Sequence, residues 1–338
     1  MTVPLRSVEG AAHARILGVG AYRPARIVTN AEICERIDSS DEWIRERSGI
    51  VERRWAAPDE TVVDMAVAAA GKALAAAGVS PEQVGAVVLA TVSHAWQTPS
   101  AAADVAYRVG ASRAAAFDIS AACAGFCHGL ALASDMIRGG SVRGTSDHVL
   151  VIGVEKLSDL IDLDDRSTAF IFGDGAGAAV VGPSDEPGIG PVVWGSDGSQ
   201  LDAISMTRRW DQTRAEPEGG WPAIRMEGQS VFRWAVYSMA PVAQQALDAA
   251  GVRSDQLAAF IPHQANVRII DAMVKALKLP SEVPVARDIA TTGNTSAASI
   301  PLAMARMLEE GEAPAGGLAL LIGFGAGLVH AAQVVRLP

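Results

Sequence analysis

A cysteine among small residues is the first candidate for chemistry in this chain of 338 residues. Cys123 stands in the run FDISAACAGF at positions 117–126, where a short apolar segment, expected to be a buried strand end, passes into a helical pattern. A cysteine in the first turn of a helix meets unpaired N–H groups and the positive end of the helix dipole, and both favour the thiolate. The alternative is a packed core cysteine, because free cysteine is among the most buried residue types. This segment alone leaves both interpretations open.

Two more polar residues stand at the ends of predicted elements in apolar surroundings. His263 follows a strand pattern in FIPHQAN at 260–266, and Asn294 lies in TGNTSAAS at 292–299, at the head of a predicted helix. Taken singly, each has a structural explanation, since a histidine after a strand is often a satisfied structural residue and Gly-Asn-Thr-Ser is an ordinary helix cap. Together with a thiol they form a Cys-His-Asn set, which is suited to nucleophilic catalysis.

Composition limits the class of protein. The chain is 49% hydrophobic and 20% charged with 33 glycines, which suits an alanine-rich α/β enzyme with a large core. A formal net charge of −10 argues against a general nucleic-acid binder. Three cysteines are too few and too irregularly spaced for a disulfide framework or a zinc cage, so a reducing cytoplasm fits best. Residues 1–12 lack the apolar segment of a signal peptide and are expected to form a loose extension.

One segment imitates a membrane span. Residues 315–335 carry no charge over a length that could cross a bilayer. Five glycines crowd this segment, and His330 and Gln333 interrupt it. The pattern therefore predicts two buried strands joined by a glycine turn, in a soluble protein that does not bind a membrane.

The elements that must position these residues follow a repeated order. Residues 73–86 (ALAAAGVSPEQVGA) match residues 246–259 (ALDAAGVRSDQLAA) at eight of fourteen positions, and each copy lies between a long helix and an apolar strand. A second echo pairs GDGAG at 173–177 with GFGAG at 323–327. We expect two related α/β halves, residues 1–184 and 185–338, whose like helices meet at the centre. Residues 206–221 are expected to form a surface excursion.

Motifs in this order resemble β-ketoacyl-acyl carrier protein synthase III, a family of the thiolase-like superfamily. The resemblance rests on DISAACAGF at 118–126, HQANVR at 263–268, GNTSAAS at 293–299, GFGAG at 323–327, FGDGAGA at 172–178 and SDEWI at 40–44. It extends from Ala14 to the C-terminus. It implies an α/β protein with the duplicated five-layer α-β-α-β-α thiolase-like fold, which assembles as a homodimer.

The resemblance also implies a reaction, the decarboxylative Claisen condensation of an acyl-coenzyme A with malonyl-acyl carrier protein, which initiates fatty-acid or related polyketide synthesis. Cys123 would accept the acyl group, and the backbone N–H groups of Cys123 and Ala326 would hold the oxyanion. His263 and Asn294 would donate hydrogen bonds to the enolate oxygen. Because the leaving carboxylate supplies the carbanion, neither a metal nor an organic cofactor is expected. Asparagine in place of a second histidine is typical of coenzyme-A-primed members.

Substrate contacts follow from the same resemblance. The residues implied for coenzyme A are Trp43, Arg47, Arg166 and Asn266, with the adenine stacked between Trp43 and Arg166. The alternatives are a helix-anchoring role for Trp43 and an ion pair of Arg166 with Asp164 or Asp165. The residues expected to meet the acidic carrier protein are Gln264, Arg268, Lys275 and Arg233; the alternative is an ordinary solvated helix face.

The acyl pocket departs from the family pattern. Thr98, in HAWQTP at 94–99, stands where many relatives carry an aromatic residue that narrows the partner subunit's pocket, and Phe232 is expected to line the pocket as well. A smaller side chain predicts priming by branched or longer acyl groups besides acetyl.

Three rival functions are weighed against this interpretation. A starter-unit acyltransferase or a specialised-metabolism ketosynthase on the same fold shares the first half-reaction. A papain-like hydrolase also uses Cys, His and Asn, but its local signature is absent from the sequence. A scaffold that binds a nucleotide at residues 173–177 is disfavoured, since that segment has neither a P-loop lysine nor the G-x-G-x-x-G spacing.

Overall fold

The computed structural model describes residue 5 and residues 8–338, so part of the expected N-terminal extension lies outside the described residues. The strands are β1 (His13–Tyr22), β2 (Arg26–Thr29), β3 (Glu52–Trp55), β4 (Val84–Ala90), β5 (Ala115–Ile119), β6 (His148–Glu155), β7 (Gly175–Ser184), β8 (Val193–Ser196), β9 (Ile204–Met206), β10 (Ile224–Met226), β11 (Ala259–Pro262), β12 (Leu318–Gly325) and β13 (Val329–Arg336). The helices are α1 (Asn30–Cys34), α2 (Asp41–Ser48), α3 (Val62–Ala77), α4 (Ala101–Val109), α5 (Gly125–Arg138), α6 (Trp210–Ala215), α7 (Gly228–Ala250), α8 (Val267–Ala276), α9 (Ile289–Thr292) and α10 (Ser299–Glu309).

Two mixed sheets form the frame. The first has the strand order β1-β7-β6-β4-β5, and β4 runs parallel to both β5 and β6. The second has the order β11-β12-β13-β8, with β11 parallel to β12. The expectation that residues 114–119 form a buried strand end is wrong in one respect, because β5 is the edge strand and Phe117 on it is 37% exposed.

Helices and sheets alternate in five layers, which confirms the fold predicted from the sequence. Helices α3 and α4 cover the outer face of the first sheet, and α7 and α8 cover the outer face of the second. Helices α5 and α10 lie between the two sheets in one shared apolar core. Because this middle layer takes one helix from each half, the boundary at residues 184 and 185 stays a prediction.

The sequence repeat has a counterpart in backbone geometry. Helix α3 ends at Gly78 (φ 64°, ψ 26°) and helix α7 ends at Gly251 (φ 66°, ψ 29°), both in the left-handed region that favours glycine. After each glycine, a short 3-10 helix leads into a buried strand, β4 in the first copy and β11 in the second. The two segments therefore have the same local fold, as expected for a duplication.

The uncharged segment at 315–335 contains β12 and β13, which pair antiparallel around a turn at residues 326–328, as predicted. In the residues that the structure describes, no helix has the length and apolar character needed to cross a membrane. The two similar glycine-rich segments, 173–177 and 323–327, differ in structure, since residues 175–177 begin β7 whereas residues 323–325 end β12.

Candidate active site

Cys123 lies between an edge strand and a central helix. It belongs to a short 3-10 helix, Ala122–Ala124, that continues directly into α5, so the predicted position at the start of a helix is confirmed. Ala122 has φ +43°, an uncommon conformation for a residue with a Cβ, and it forms the sharp corner that presents the cysteine. A Cβ at Gly325 would stand 3.0 Å from the sulfur and from the backbone nitrogen of Cys123. Because residue 325 is glycine, the end of β12 can approach the thiol closely.

The thiol is not activated by its surroundings in the way that the sequence predicted. Burial raises the pKa of Cys123 to about 12, the nearby Glu155 carboxyl raises it further, and the Ser296 hydroxyl lowers it. Gly325 of β12 packs against the sulfur from about two hundred residues away in the chain, a contact that a local sequence window does not contain. Acylation of this cysteine consequently requires a group that accepts its proton.

His263 follows β11, as predicted, and is held by contacts on two sides. Its ring packs edge-to-face on Phe324 with the centroids 5.3 Å apart, and its Nδ1 lies 2.7 Å from the Ser299 hydroxyl. That hydroxyl oxygen also accepts a hydrogen bond from the Gln264 N–H at 3.3 Å, and it can donate its own hydrogen to Nδ1. In that arrangement the neutral imidazole carries its own hydrogen on Nε2. Burial lowers the pKa of His263 to about 3, so this ring is a neutral donor.

Asn294 stands just ahead of the 3-10 helix Ser296–Ala298 that leads into α10. Its backbone is fixed by the Ile171 carbonyl, which accepts from its N–H at 2.9 Å, and its own carbonyl accepts from the Gly173 N–H at 3.0 Å. The side-chain Oδ1 accepts from the Ser296 N–H at 2.8 Å. With the oxygen used in this way, the Nδ2 group is oriented as a donor.

The structure brings Cys123, His263 and Asn294 together on the wall of one cavity of about 890 Å³. Ala326 lines the same cavity, and its N–H donates to no acceptor in the described part of the chain. Four separate segments of the chain therefore bring together a nucleophile, two polar side chains and a free backbone amide. Such a set can bind a thioester and stabilise negative charge on its oxygen.

The residues expected to bind coenzyme A cluster at one end of this cavity. Trp43 and Arg47 line it, and the Arg47 and Arg166 guanidinium carbons lie 5.7 and 4.9 Å from the Trp43 ring centroid. Asp164 pairs with Arg36 instead of Arg166. Because Arg166 lies directly over the Trp43 ring, an adenine between the two would have to separate them.

Asn266 lines the cavity but is largely engaged within the protein. Its Oδ1 accepts from the Arg268 N–H at 2.9 Å as the N-cap of α8, and its Nδ2 donates to the Arg47 carbonyl at 2.9 Å. This bond ties α8 to the end of α2. One amide hydrogen of Asn266 remains for a ligand.

Gln264 is a correction to the predicted carrier-protein contacts. The residue is fully buried, and its Nε2 donates to the Pro262 and Ala286 carbonyls at 2.8 and 3.2 Å. Its Oε1 accepts from the Ile289 N–H. A side chain that is satisfied inside the core cannot meet a docked protein, so the prediction for Gln264 is wrong.

The other basic candidates are exposed. Arg233 and Arg268 are solvent-exposed residues at the cavity wall, and the Arg268 guanidinium lies 5.0 Å from the Phe232 ring centroid. Lys275 is exposed two turns further along α8. Phe232 also lines the cavity, whereas Thr98 is exposed and lies away from the cavity of its own chain. The predicted role of Thr98 needs a second chain and stays a prediction.

The sequence analysis did not predict one wall of the cavity, which strands β9 and β10 form. Strands β9 and β10 pair antiparallel, and the expected surface excursion lies between them. Trp210 and Trp221 on it are indeed exposed, but Met206 and Met226 line the cavity. The residues of these two strands that line the cavity and were not predicted are Ile204, Ser205, Met206, Ile224 and Met226. Only the long-range pairing of the two short strands places them there.

Within residue 5 and residues 8–338, no group of three or more His, Cys, Asp or Glu side chains is arranged to hold a metal ion. Cys34, Cys123 and Cys127 are all free thiols. The expectation of a cofactor-free reaction stays a prediction.

Comparison with known proteins now identifies the family. The family models of 3-oxoacyl-[acyl-carrier-protein] synthase III and of its C-terminal region match residues 117–198 and 247–337. The chain is 62% identical to β-ketoacyl-[acyl-carrier-protein] synthase III 1 of Streptomyces coelicolor, with 99% of each chain covered. It is 51% identical to the priming β-ketosynthase of the R1128 polyketide biosynthetic pathway, with a TM-score of 0.96 and 99% of each chain covered. For the synthase III of Pseudomonas aeruginosa the identity is 40% and the TM-score 0.88, with 96% of this chain and 98% of that chain covered. With its duplicated thiolase-like fold and its Cys-His-Asn cavity, the chain belongs to the β-ketoacyl-[acyl carrier protein] synthase III family of acyltransferases.

Proposed function

We propose that this protein condenses an acyl-coenzyme A starter with malonyl-acyl carrier protein and thereby initiates the synthesis of an acyl chain. The observation that carries the proposal is the convergence of Cys123, His263 and Asn294 on one cavity that extends to Trp43 and Arg47. Membership of the synthase III family and the match to a priming ketosynthase support the same reaction.

In the first half-reaction, the Cys123 sulfur attacks the thioester carbon of the acyl-coenzyme A. The tetrahedral oxyanion accepts hydrogen bonds from the N–H groups of Cys123 and Ala326, and coenzyme A leaves as the free thiol. Trp43, Arg47 and Arg166 bind the nucleotide end by stacking and charge, and Asn266 donates its remaining amide hydrogen to the pantetheine arm.

In the second half-reaction, the malonyl thioester loses carbon dioxide, and negative charge develops on its carbonyl oxygen. The Nε2–H of His263 and the Nδ2 of Asn294 donate to that oxygen, which stabilises the enolate. The enolate carbon attacks the acyl-cysteine, the C–S bond breaks, and the thiol is restored. The carboxylate supplies the electron pair, so the reaction takes neither a metal nor an organic cofactor.

The decisive experiment follows acyl transfer and carbon–carbon bond formation separately. Incubation with acyl-coenzyme A should add the mass of the acyl group to Cys123, and added malonyl-carrier protein should release carbon dioxide and β-ketoacyl-carrier protein. Acyl-cysteine formation without malonyl-dependent product would favour the rival starter-unit acyltransferase. Release of free fatty acid alone would favour a hydrolase.

We infer a preference for starters beyond acetyl from the exposed Thr98, which would face the acyl pocket of a partner subunit in a homodimer. A panel of acetyl-, isobutyryl- and octanoyl-coenzyme A tests this inference, and strict use of acetyl would contradict it. The similarity to a polyketide priming ketosynthase favours a role in specialised biosynthesis as a second candidate. Condensation with the carrier protein of a polyketide pathway, but not with that of fatty-acid synthesis, would identify that role.

We also infer a homodimer that works in the cytoplasm. The unpaired edge of β5, with Phe117 37% exposed, offers a strand for pairing with a second copy. Sedimentation should give a mass near twice 35.0 kDa. Recovery of a 35.0 kDa species at micromolar concentration would reject the dimer.

A further inference from the structure

The chain that leaves β4 is bound to a buried carboxyl group. Glu155, the last residue of β6, is 0% exposed. Its Oε2 accepts hydrogen bonds from the Thr91 hydroxyl at 3.1 Å, the Val92 N–H at 3.1 Å and the Ser93 hydroxyl at 2.6 Å. Hydrogen bonds to an ionised acceptor are stronger than neutral ones. One oxygen therefore fixes the backbone and two side chains of residues 91–93.

These hydrogen bonds lie directly behind the cavity wall. Thr91 and Ser93 are buried, whereas Val92 between them is 41% exposed and lines the active-site cavity. Two further bonds restrain the segment, because the Lys156 N–H donates to the Ser93 hydroxyl at 2.8 Å and the Ser93 N–H donates to the Thr91 hydroxyl at 3.2 Å. The position of Val92 on the wall is therefore set by its two buried neighbours and the carboxyl group that they share.

Two observations place this part of the wall beside the nucleophile. A Cβ at Gly125, two residues after Cys123, would lie 2.6 Å from the Ala90 Cβ, and Ala90 is the last residue of β4. Val92 follows two residues later. The Glu155 carboxyl is also close enough to the thiol to raise the pKa of Cys123. Val92 consequently lines the end of the cavity where an acyl group on the sulfur would lie.

The environment of Glu155 is unfavourable for a charge. Its Oε1 is buried and has no hydrogen-bond partner in the described part of the chain, and burial raises its pKa to about 7. The neighbouring Lys156 ammonium does not neutralise it, since this group donates to the Ala57 and Pro58 carbonyls and pairs with Asp159. A buried carboxyl oxygen without a partner calls for an explanation. The restraint of residues 91–93 provides one.

We propose that Glu155 is a positioning residue, which holds residues 91–93 so that Val92 limits the size of the acyl group on Cys123. The inference rests on the proposed acyl transfer and adds to it a determinant of starter size. A wall that is bonded through its backbone and both flanking side chains cannot recede for a bulky group. When one of these bonds is lost, the segment can move and a larger starter fits. Glu155 itself touches no substrate in this role.

The test compares the loading of Cys123 by octanoyl- and acetyl-coenzyme A at pH 8, as the ratio of the two second-order rate constants. Because both starters react with the same thiol, a change in thiol reactivity cancels in this ratio. Val92→Ala should raise the octanoyl-to-acetyl ratio about tenfold, the effect of one or two methyl groups in an apolar pocket. Ser93→Ala removes one bond to the carboxylate and should raise the ratio several-fold. Glu155→Gln keeps the shape but makes the bonds neutral, so it should give a smaller rise.

Ser158→Ala is the matched control. The Ser158 hydroxyl donates to the buried Asp174 carboxyl at 2.6 Å, the same distance as in the Ser93 bond, and Ser158 is not part of the cavity wall. Both serine variants should lose comparable stability in denaturant unfolding, but the ratio in Ser158→Ala should stay at the wild-type value. A destabilised fold alone would move the ratio in both.

The double variant Val92→Ala/Ser93→Ala shows whether Ser93 acts through Val92. If it does, the double variant should have the same ratio as Val92→Ala alone. Additive changes would overturn the proposal, as would unchanged ratios in Ser93→Ala and Glu155→Gln or an equal rise in Ser158→Ala. Failure of the wild type to form acyl-Cys123 with either starter would count instead against the proposed function.

Discussion

At the residue scale, a hydrogen bond at one polar atom of each cavity side chain fixes the direction in which its other polar atom points. Ser299 bonds to one nitrogen of His263, which fixes the ring, and the Ser296 N–H occupies the oxygen of Asn294, so the Asn294 side chain presents its NH₂ donor. Cavity groups fixed in this way need no reorganisation when charge develops on a substrate oxygen. The same logic makes Glu155 an acceptor, since its Oε1 has no partner.

His263 should show no titration in the range where histidines ordinarily titrate. Its pKa is lowered from 6.5 to about 3, so the ring becomes cationic only in strong acid and stays a neutral donor from pH 5 to 8. We expect carbon dioxide release from malonyl-carrier protein by Cys123→Ala to show no inflection near pH 6.5. His263→Ala in the same background should lower the rate about 10²-fold. A loss of activity on acidification with a midpoint near 6.5 would contradict the assignment.

Glu155 should make the stability of the protein depend on pH. Its pKa is about 7 in the folded protein against an ordinary 4.5, so the folded state binds more protons between these values. The stabilisation is present below pH 4.5 and is lost as pH rises through 7, an effect of about 3 kcal/mol. Glu155→Gln resembles the protonated form, and it should gain stability relative to the wild type by about this amount between pH 4.5 and pH 8. Denaturant unfolding at the two pH values measures the difference, and an equal difference at both would refute it.

At the element scale, much of the architecture is predictable because its signals are local. Thr61 begins α3 with a capping box, and Gly78 and Gly251 end α3 and α7 in the same backbone conformation. Cys123 and His263 can be found from the sequence because Cys123 stands four residues after one apolar strand pattern and His263 directly follows another.

What the sequence does not predict depends on contacts between distant segments. Gln264 follows His263 yet is buried by the Ala286 and Ile289 backbone, which no local pattern reveals. The apolar run at 149–154 stops one residue short of Glu155, and the ionisation of that carboxyl depends on the loop after β4. The raised pKa of Cys123 has a similar origin, because the groups that influence the thiol, Glu155 and Ser296, are distant from it in the chain.

The packing of β6 against the segment that carries Ser296 yields a prediction for this pair of elements. A Cβ at Gly153 would lie 2.2 Å from the Ala297 carbonyl oxygen, a backbone atom that cannot move alone. Gly153→Ala should therefore displace the 3-10 helix Ser296–Ala298, lower condensation activity more than tenfold and destabilise the fold by about 1–3 kcal/mol.

Gly71 provides the matched control for that substitution. It lies within α3, and a Cβ added there would have no atom within 4 Å beyond its chain neighbours and the backbone of its own helix, so Gly71→Ala meets no obstruction. This control should preserve activity and raise stability by about 0.5–1 kcal/mol, because alanine restricts the unfolded chain. Thermal unfolding and product formation, measured for both variants, check the pair. Full activity in Gly153→Ala would show that the segment tolerates the shift.

At the scale of the whole molecule, charge is distributed unevenly. The net charge is −10, yet the exposed Arg233 and Arg268 line the cavity, and the exposed Lys275 lies further along α8. Asp271 on the same helix pairs with Arg287 at 2.6 Å, so it does not cancel this patch. We propose that an acidic carrier protein, which the molecule as a whole repels, is attracted to this basic patch.

Reversal of one charge in this patch should weaken use of the carrier substrate alone. Lys275 lies two turns along α8 from the cavity wall, so Lys275→Glu should raise the KM for malonyl-carrier protein several-fold and leave Cys123 acylation by acyl-coenzyme A unchanged. Arg253→Glu is the control, because that exposed arginine precedes β11 at the end opposite His263 and pairs with Asp255. The effect of Lys275→Glu should shrink as salt is raised, since exposed charges are screened over about 10 Å at 0.1 M. Equal KM changes in the two variants would show that overall charge, and not the patch on α8, governs docking.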